Sequence, residues 1–439
     1  MPDIMLVLSC LSHELNKTDR RRLARIIEAM LSLTGRITMR GLSRWSERGG
    51  SYRTIQRWFN TSVNWGQVHW LLIREHLLGE DTEWLLAGDE VVVSKSGKKT
   101  YGLDRFFSSL YGKAVPGLCF LSLSLISVKG RHSYPLRLEP VVKEAAASCP
   151  KASKAGRASA RGRPPGHTNR NRREVELSAY LQFVQGLIGQ VLVLIGARLK
   201  VRYFVFDGAF GHNHALQMVR RSGLELISKL RHNAALYLPY DGAYSGRGRR
   251  RKYGSKLDYR NLPLAYLKAT SVAGQLHTAI DQMRVWHKKF PDLLNVVIIV
   301  KTHQRSGAQA HVILFSSDLA LGYQQLVDYY RLRFQIEFNF REAKQYWGLE
   351  DFMVVNETPV YNSANLAMLM TNLSQVLIRP LREHCPAFSV HDLKAHFRGR
   401  QYVLEALKCL PQMPAPIIIE QVLEQAANRG RINHELKAA

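Results

Sequence analysis

Apolar residues recur at helical spacing from Thr18 to Leu33: Leu23, Ile26, Ile27, Met30 and Leu31 share one face, and Gly35 can end the helix. A second, short helix is predicted over Thr38–Glu47, with Leu42 and Trp45 turned inward. Arg48-Gly49-Gly50 then makes a tight turn, and Ser51 can cap a third helix, Tyr52–Phe59. Helix, glycine-containing turn, helix is the helix-turn-helix pattern. The third helix buries Ile55 and Phe59 and leaves Tyr52, Arg53, Gln56 and Arg57 outside. These residue types contact phosphates and base edges; an ordinary helical bundle with a solvated basic face fits the same pattern.

After Leu78 the texture changes. Glu83–Val93, Gly117–Val128 and Leu136–Val142 are rich in Val, Leu and Ile and predict strands. An amphipathic helix over Glu176–Leu199 leads to a strand Val201–Phe206, a helix Asn213–Arg221 and a strand Leu224–Leu230. That alternation implies an α/β sheet covered by helices. Leu238–Leu319 is β-rich, with strand-like runs at Gln282–Trp286, Asn295–Lys301 and His311–Phe315. Beyond Gly348 the pattern is helical, with candidates at Ala364–Arg379, Val390–Arg398 and Ile417–Ala427. No internal repeat is present.

Charge narrows the function. The 439 residues carry 62 Lys and Arg against 35 acidic residues, a formal net charge of +27. Such an excess repels itself unless the partner is a polyanion, which points to nucleic acid or an anionic membrane. The most apolar stretches (Gly117–Val128, Gly186–Ile195, Asn295–Val300) fall short of the ~20 residues that span a bilayer. The first fifteen residues lack a secretory pattern. The five cysteines, Cys10, Cys119, Cys149, Cys385 and Cys409, are scattered without a CxxC pair, as expected of reduced thiols in a cytoplasmic protein. Positive charge is concentrated at two places. Lys151–Arg173 has eight Lys or Arg, no acidic residue and a composition that predicts a mobile loop, set at 144–175. Its Arg161-Gly162-Arg163-Pro164 core resembles the AT-hook, whose arginines reach the minor-groove floor; a plain basic linker has the same composition. The second cluster is Arg247, Arg249, Arg250, Arg251 and Lys252.

Gly322–Gly348 predicts one long helix stopped by Gly348. Tyr330, Arg333, Glu337 and Lys344 stand at offsets 0, 3, 7 and 14, which puts them on one stripe of that helix. A carboxylate between Arg and Lys can present a metal ligand beside a DNA phosphate. An exposed Arg333–Glu337 salt bridge would produce the same spacing.

This Y-(2)-R-(3)-E-(6)-K spacing resembles the signature of the insertion-sequence-four family of bacterial cut-and-paste DDE transposases, over roughly Glu83–Gln375. The resemblance implies an RNase H-like core with two further catalytic aspartates on strands. Asp89, in Leu85-Leu86-Ala87-Gly88-Asp89-Glu90-Val91, and Asp207, in Phe204-Val205-Phe206-Asp207-Gly208, meet that demand in order. By resemblance Asp89, Asp207 and Glu337 are metal ligands for two Mg²⁺ ions, with Mn²⁺ able to substitute, while Tyr330, Arg333 and Lys344 hold phosphates of the transposon end. Glu90 and Glu342 are rival carboxylates, and Glu342 lies off the stripe. The family's β-rich insertion carries an aromatic residue that stacks on a displaced base; Trp286 is the only tryptophan in this one.

The expected organisation is a helical DNA-binding domain (1–78), an RNase H-like core in two parts (79–237 and 320–384), a β-rich insertion (238–319) and a helical C-terminal region (385–439). The expected function is binding of terminal inverted repeats in double-stranded DNA, Mg²⁺-dependent cleavage, excision through a hairpin and strand transfer. The protein would act as a homodimer or larger assembly on DNA, with no membrane partner. The alternatives are a DNA-binding regulator with an inactive core, and a nuclease that cuts without joining.

Overall fold

Five helices open the chain: α1 (Ile4–Val7), α2 (Lys17–Ser32), α3 (Met39–Trp45), α4 (Tyr52–Phe59) and α5 (Trp65–His76). Asp3, Asn16, Thr38, Ser51 and Asn64 cap them, each accepting a first-turn backbone N–H. The computed structural model describes residues 3–46, 50–79, 81–108, 111–143, 171–244, 246 and 248–433. The Arg48-Gly49 part of the predicted turn and the AT-hook-like Arg161 and Arg163 therefore lie outside the described residues, as does most of the predicted basic loop.

The strands are β1 (Trp84–Ser94), β2 (Asp104–Ser108), β3 (Lys113–Ser127) and β4 (His132–Pro140), then, after helix α6 (Ala179–Ile195), β5 (Val201–Val205). Helix α7 (Asn213–Arg221) leads to β6 (Glu225–Leu230), β7 (Leu236–Pro239), β8 (Tyr253–Lys256), β9 (Leu267–Ala273), β10 (Leu276–His287), β11 (Leu294–His303) and β12 (Gln309–Ser316). The chain ends in helices α8 (Tyr323–Leu332), α9 (Gln335–Tyr346), α10 (Glu357–Arg382), α11 (Val390–Leu407) and α12 (Pro416–Arg429).

All these strands join one sheet, ordered β2-β3-β1-β5-β6-β12-β11-β10-β7-β8, with β4 on β3 and β9 on β10. β1 is antiparallel to β3 and parallel to β5, and β5 is parallel to β6. The antiparallel β12–β6 ladder carries the strands of the β-rich segment directly onto this sheet.

Alternation along β1 sorts the core. Leu85, Ala87, Val91 and Val93 face a cluster built with α2 to α5 and α8 to α11, whereas Trp84 and Leu86 face α6 and α7. The first five helices thus share a core with the late ones. Buried Asn362 of α10 ties them together, accepting from Trp65 Nε1 (2.7 Å) and donating to the carbonyls of Phe59 (2.7 Å) and Thr61 (2.8 Å).

Ala179–Arg198 has the length and apolarity of a membrane-crossing helix, although its sequence holds no unbroken apolar run of that length. In this fold it is a sheet-covering helix, because Leu181, Val184, Leu187, Ile188, Val191 and Ile195 are buried in the second core.

His69 of α5 is fully buried and meets Asn372 through Nδ1 (3.2 Å). Burial, with Arg137 adding to it and a backbone hydrogen bond at Asn365 opposing, pushes its pKa down to about 3. The unfolded chain therefore binds a proton that the fold refuses. Stability is complete above the unfolded value of about 6.5 and falls as pH drops towards 3, by about 1.4 kcal/mol per pH unit. Denaturant melts at pH 7.5 and pH 5 should differ by about 2 kcal/mol from this residue alone, and His69→Gln should reduce the difference.

Candidate active site

Asp89 lies mid-strand in β1, opposite Ser122 of β3. It shares the parity of Ala87 and Val91, so its side chain turns towards the α8–α9 face. Glu90 turns the other way and accepts a hydrogen bond from the Tyr180 hydroxyl of α6. The two neighbouring carboxylates are separated by the sheet itself.

Asp207 follows β5 and caps a 3₁₀ turn, Gly208–Phe210, accepting from the Ala209 N–H at 2.9 Å. Its carbonyl accepts from Ser228 Oγ of β6 (2.6 Å). Gly211 closes the turn where a Cβ would sit 2.3 Å from the Lys229 carbonyl oxygen, so only glycine lets the backbone pass.

The predicted single helix 322–348 is two helices. Between α8 and α9, Phe334, Ile336 and Glu337 donate their N–H groups three residues back, to Arg331, Arg333 and Phe334, each at 3.0 Å. This tightening is a 3₁₀-like turn. It moves the later residues only slightly around the axis, so the stripe survives. Gly348 ends α9 at φ +74°, as the sequence predicts, and a Cβ there would meet Ile37 Cβ at 2.6 Å.

At the break, Arg333 reaches across to the sheet. Its Nη1 donates to Asp89 Oδ2 at 2.5 Å and its Nη2 to Glu337 Oε1 at 3.0 Å. The Arg333–Glu337 bridge that the spacing allows does exist, but its arginine is 12% exposed and shared with the strand carboxylate. Burial pushes Asp89 up to about 6; Arg333 opposes this and the nearby charge of Asp207 adds to it. Burial likewise raises the Tyr330 phenol, with Asp207 and Asp89 adding and Arg333 opposing. Tyr330 therefore stands within the electrostatic reach of both aspartates. Further along, Lys344 Nζ donates to the Val92 carbonyl (2.9 Å) and pairs with Glu350 (2.8 Å). Asp89, Asp207, Glu337, Tyr330, Arg333 and Lys344 thus gather on one face of β1 and β5.

The donor chemistry suits a hard divalent cation, since all three acids offer carboxylate oxygen. Among the described residues no group of three or more His, Cys, Asp or Glu side chains is already arranged to hold a metal ion. A guanidinium spans Asp89 and Glu337, so a metal there requires Arg333 to release them.

A family model described as DDE superfamily endonuclease matches residues 10–288, more than half of the chain. The chain belongs to the DDE superfamily endonucleases. Membership carries divalent-metal-dependent cleavage of DNA. The match includes Asp89 and Asp207 and ends before Glu337, whose place rests on the geometry above. Among curated proteins no match is found.

In this endonuclease the other predicted DNA contacts lie elsewhere. Arg53, Gln56 and Arg57 are exposed on α4, on the side away from buried Ile55, Trp58 and Phe59. Arg249, Arg250 and Arg251 are exposed in the connection between β7 and β8. Arg251 lies over the Tyr240 ring at 4.8 Å. Trp286 packs edge-on against Tyr253 (6.2 Å) under Lys252 (4.8 Å). Glu342 is half-buried, accepting from Trp347 Nε1 (2.9 Å) and Ser374 Oγ (2.6 Å), which gives it a structural role.

Sequence reading missed Lys95 as a fixed group. Its Nζ donates to the carbonyls of Glu350 (3.0 Å) and Phe352 (2.7 Å), and burial, against the pull of Asp351 and Glu350, lowers its pKa to about 8. Only the fold brings residue 95 to residue 350, so no local signal marked it.

Proposed function

We propose that this DDE endonuclease is a cut-and-paste transposase of the insertion-sequence-four type, with Asp89, Asp207 and Glu337 as its catalytic carboxylates. The observation that carries this is Arg333, which joins the helix carrying Glu337 to the strand carrying Asp89. The strand order β4-β3-β1-β5-β6, three antiparallel strands followed by two parallel ones, supports an RNase H-like core.

The three carboxylates would hold two Mg²⁺ ions, which supply charge neutralisation on the phosphate and its leaving oxygen. Arg333, freed from the acids, would hold a backbone phosphate, with Tyr330 and Lys344 beside it. A bidentate guanidinium is suited to that exchange of carboxylate for phosphate. Exposed Arg53, Gln56 and Arg57 of α4 support recognition of the terminal inverted repeats as the second helix of a helix-turn-helix. The aromatic and cationic cluster around Trp286 supports handling of an unstacked base in a hairpin. Strand transfer into target DNA would follow in an assembly of two or more chains on the two ends, in the bacterial cytoplasm.

The test is incubation of the protein with end-containing DNA and Mg²⁺. The expected products are nicked, then excised, then joined DNA. Binding without cleavage would leave a regulator, and cleavage without joining a simple nuclease. DNA affinity should also fall steeply with salt, each neutralised phosphate adding about −0.9 to the logarithmic slope. A flat dependence would contradict the electrostatic part of the reading.

A further inference from the structure

At the other end of β1 from its carboxyl-terminal half, a cavity of about 850 Å³ opens between the β3–β4 turn and the last turns of α10. Lys129 lines it from the turn and His132 from the start of β4, and Arg379 and Arg382 line it from the helix. One carboxylate, Asp81, shares the lining, and it is engaged by the Ser127 hydroxyl and the Gly130 N–H (3.3 Å).

The cations are positioned but little used. Arg379 Nη1 donates to the His76 carbonyl at 3.4 Å and Arg382 Nε to the Phe388 carbonyl at 2.9 Å. Among the described residues neither guanidinium forms an ion pair with a carboxylate, which leaves most of its five N–H donors for a ligand. The negative end of the α10 dipole accounts for arginines in its last turns. It does not account for Lys129 and His132, brought from a different hairpin to face them. Burial and the charge of Arg382 together hold His132 below its usual pKa, as expected where positive potential is concentrated.

We infer that this cavity is a second anion site that seats backbone phosphates of duplex DNA outside the cleaved segment. The inference rests on the DNA substrate of the family and not on transposition. Ser127 pairs with Trp84 and Ser122 with Asp89, so the cavity begins five residues, about 17 Å, along the strand from Asp89. Five is an odd step, and Trp84 faces the opposite side of β1 from Asp89, so the cavity is a separate place on the sheet and one phosphate cannot serve both. Basic side chains on an open, concave surface match a polyanionic backbone in charge and shape.

The experiment compares the full chain with Lys129→Gln/Arg379→Gln, a pair that spares the Arg382–Phe388 bond. Binding is measured across a salt series on a duplex spanning only the cleavage site and on one extended by a helical turn each way. The variant should lose at least tenfold affinity for the long duplex, and its logarithmic salt slope should shrink by about two. Cleavage of the short duplex should stay unchanged. An unaltered slope on the long duplex overturns the inference. If the pair melts below the parent, Lys129→Gln alone, at an exposed turn, must lower the slope by about one. Inorganic pyrophosphate is the second probe: a rise in melting temperature in the parent only, with an unchanged DNA slope, would assign the cavity to a small phosphate ligand and overturn DNA. A parent that binds no DNA at all would instead sink the functional reading.

Discussion

Asp89→Ala and Glu337→Ala should each slow DNA cleavage by about a thousandfold or more while leaving DNA affinity within a few fold. Losing about 4 kcal/mol of charge stabilisation in the transition state corresponds to a thousandfold in rate. Affinity should change little because most binding energy comes from phosphate contacts spread over a basic surface. The controls follow from the fold. Glu90→Gln alters a carboxylate on the opposite face of β1, bonded to Tyr180, and should cleave normally. Glu342→Gln alters a half-buried acceptor for Trp347 and Ser374 and should cost stability without abolishing chemistry. A folded Glu342→Gln protein with no cleavage, beside a fully active Glu337→Ala protein, would move the third carboxylate to position 342. Single-turnover cleavage and equilibrium binding on the same duplex separate these outcomes.

Asp392→Ala should weaken the C-terminal helices by about 3–5 kcal/mol, the cost of emptying a buried, fully bonded charge site. The Asp392 carboxylate accepts from the Ser389 N–H (2.9 Å) and hydroxyl (2.7 Å), closing a capping box on α11. It also accepts from the N–H groups of Ile432 (2.6 Å) and Asn433 (3.1 Å) and from Asn433 Nδ2 (2.9 Å), which tie the end of α12 back to the start of α11. Burial alone would raise its pKa, but the hydrogen bonds from Asn433 and Ser389 outweigh it and hold the carboxyl well below the usual carboxylate range. Its contribution is therefore full at neutral pH and is lost as pH falls below about 4. Hydrogen exchange across α12 should speed up in the variant. Protection equal to that of the parent would show that the network contributes nothing.

The parts of this molecule legible in its sequence are those governed by local rules. The Ser51 cap, the outward Arg53, Gln56 and Arg57, the Gly348 stop and the strands that carry Asp89 and lead to Asp207 all follow from periodicity and turn chemistry, whereas the choice of those two aspartates came from the family resemblance. The break at Arg333 was not legible, because every residue from Tyr323 to Tyr346 is compatible with a continuous helix. The break coincides with a contact to residue 89, far away in sequence. The partners of Lys95, the Tyr180–Glu90 bond and the cavity at Arg379 likewise depend on segments distant in the chain. Short strands such as β7 and β8 were also missed, since four residues carry too little alternation to register.

The continuous sheet also limits how this protein can be divided. A fragment ending at residue 288, where the family match stops, would keep β10 and discard β11, its hydrogen-bonded neighbour from Leu276 to Val285. The freed edges of β10 and β6 would offer unpaired backbone groups to other chains, and the cover supplied by α8 to α10 would be gone. Expressed alone, such a fragment should collect in the insoluble fraction. The stretch of sequence that shows ancestry and the sheet it belongs to do not end at the same residue.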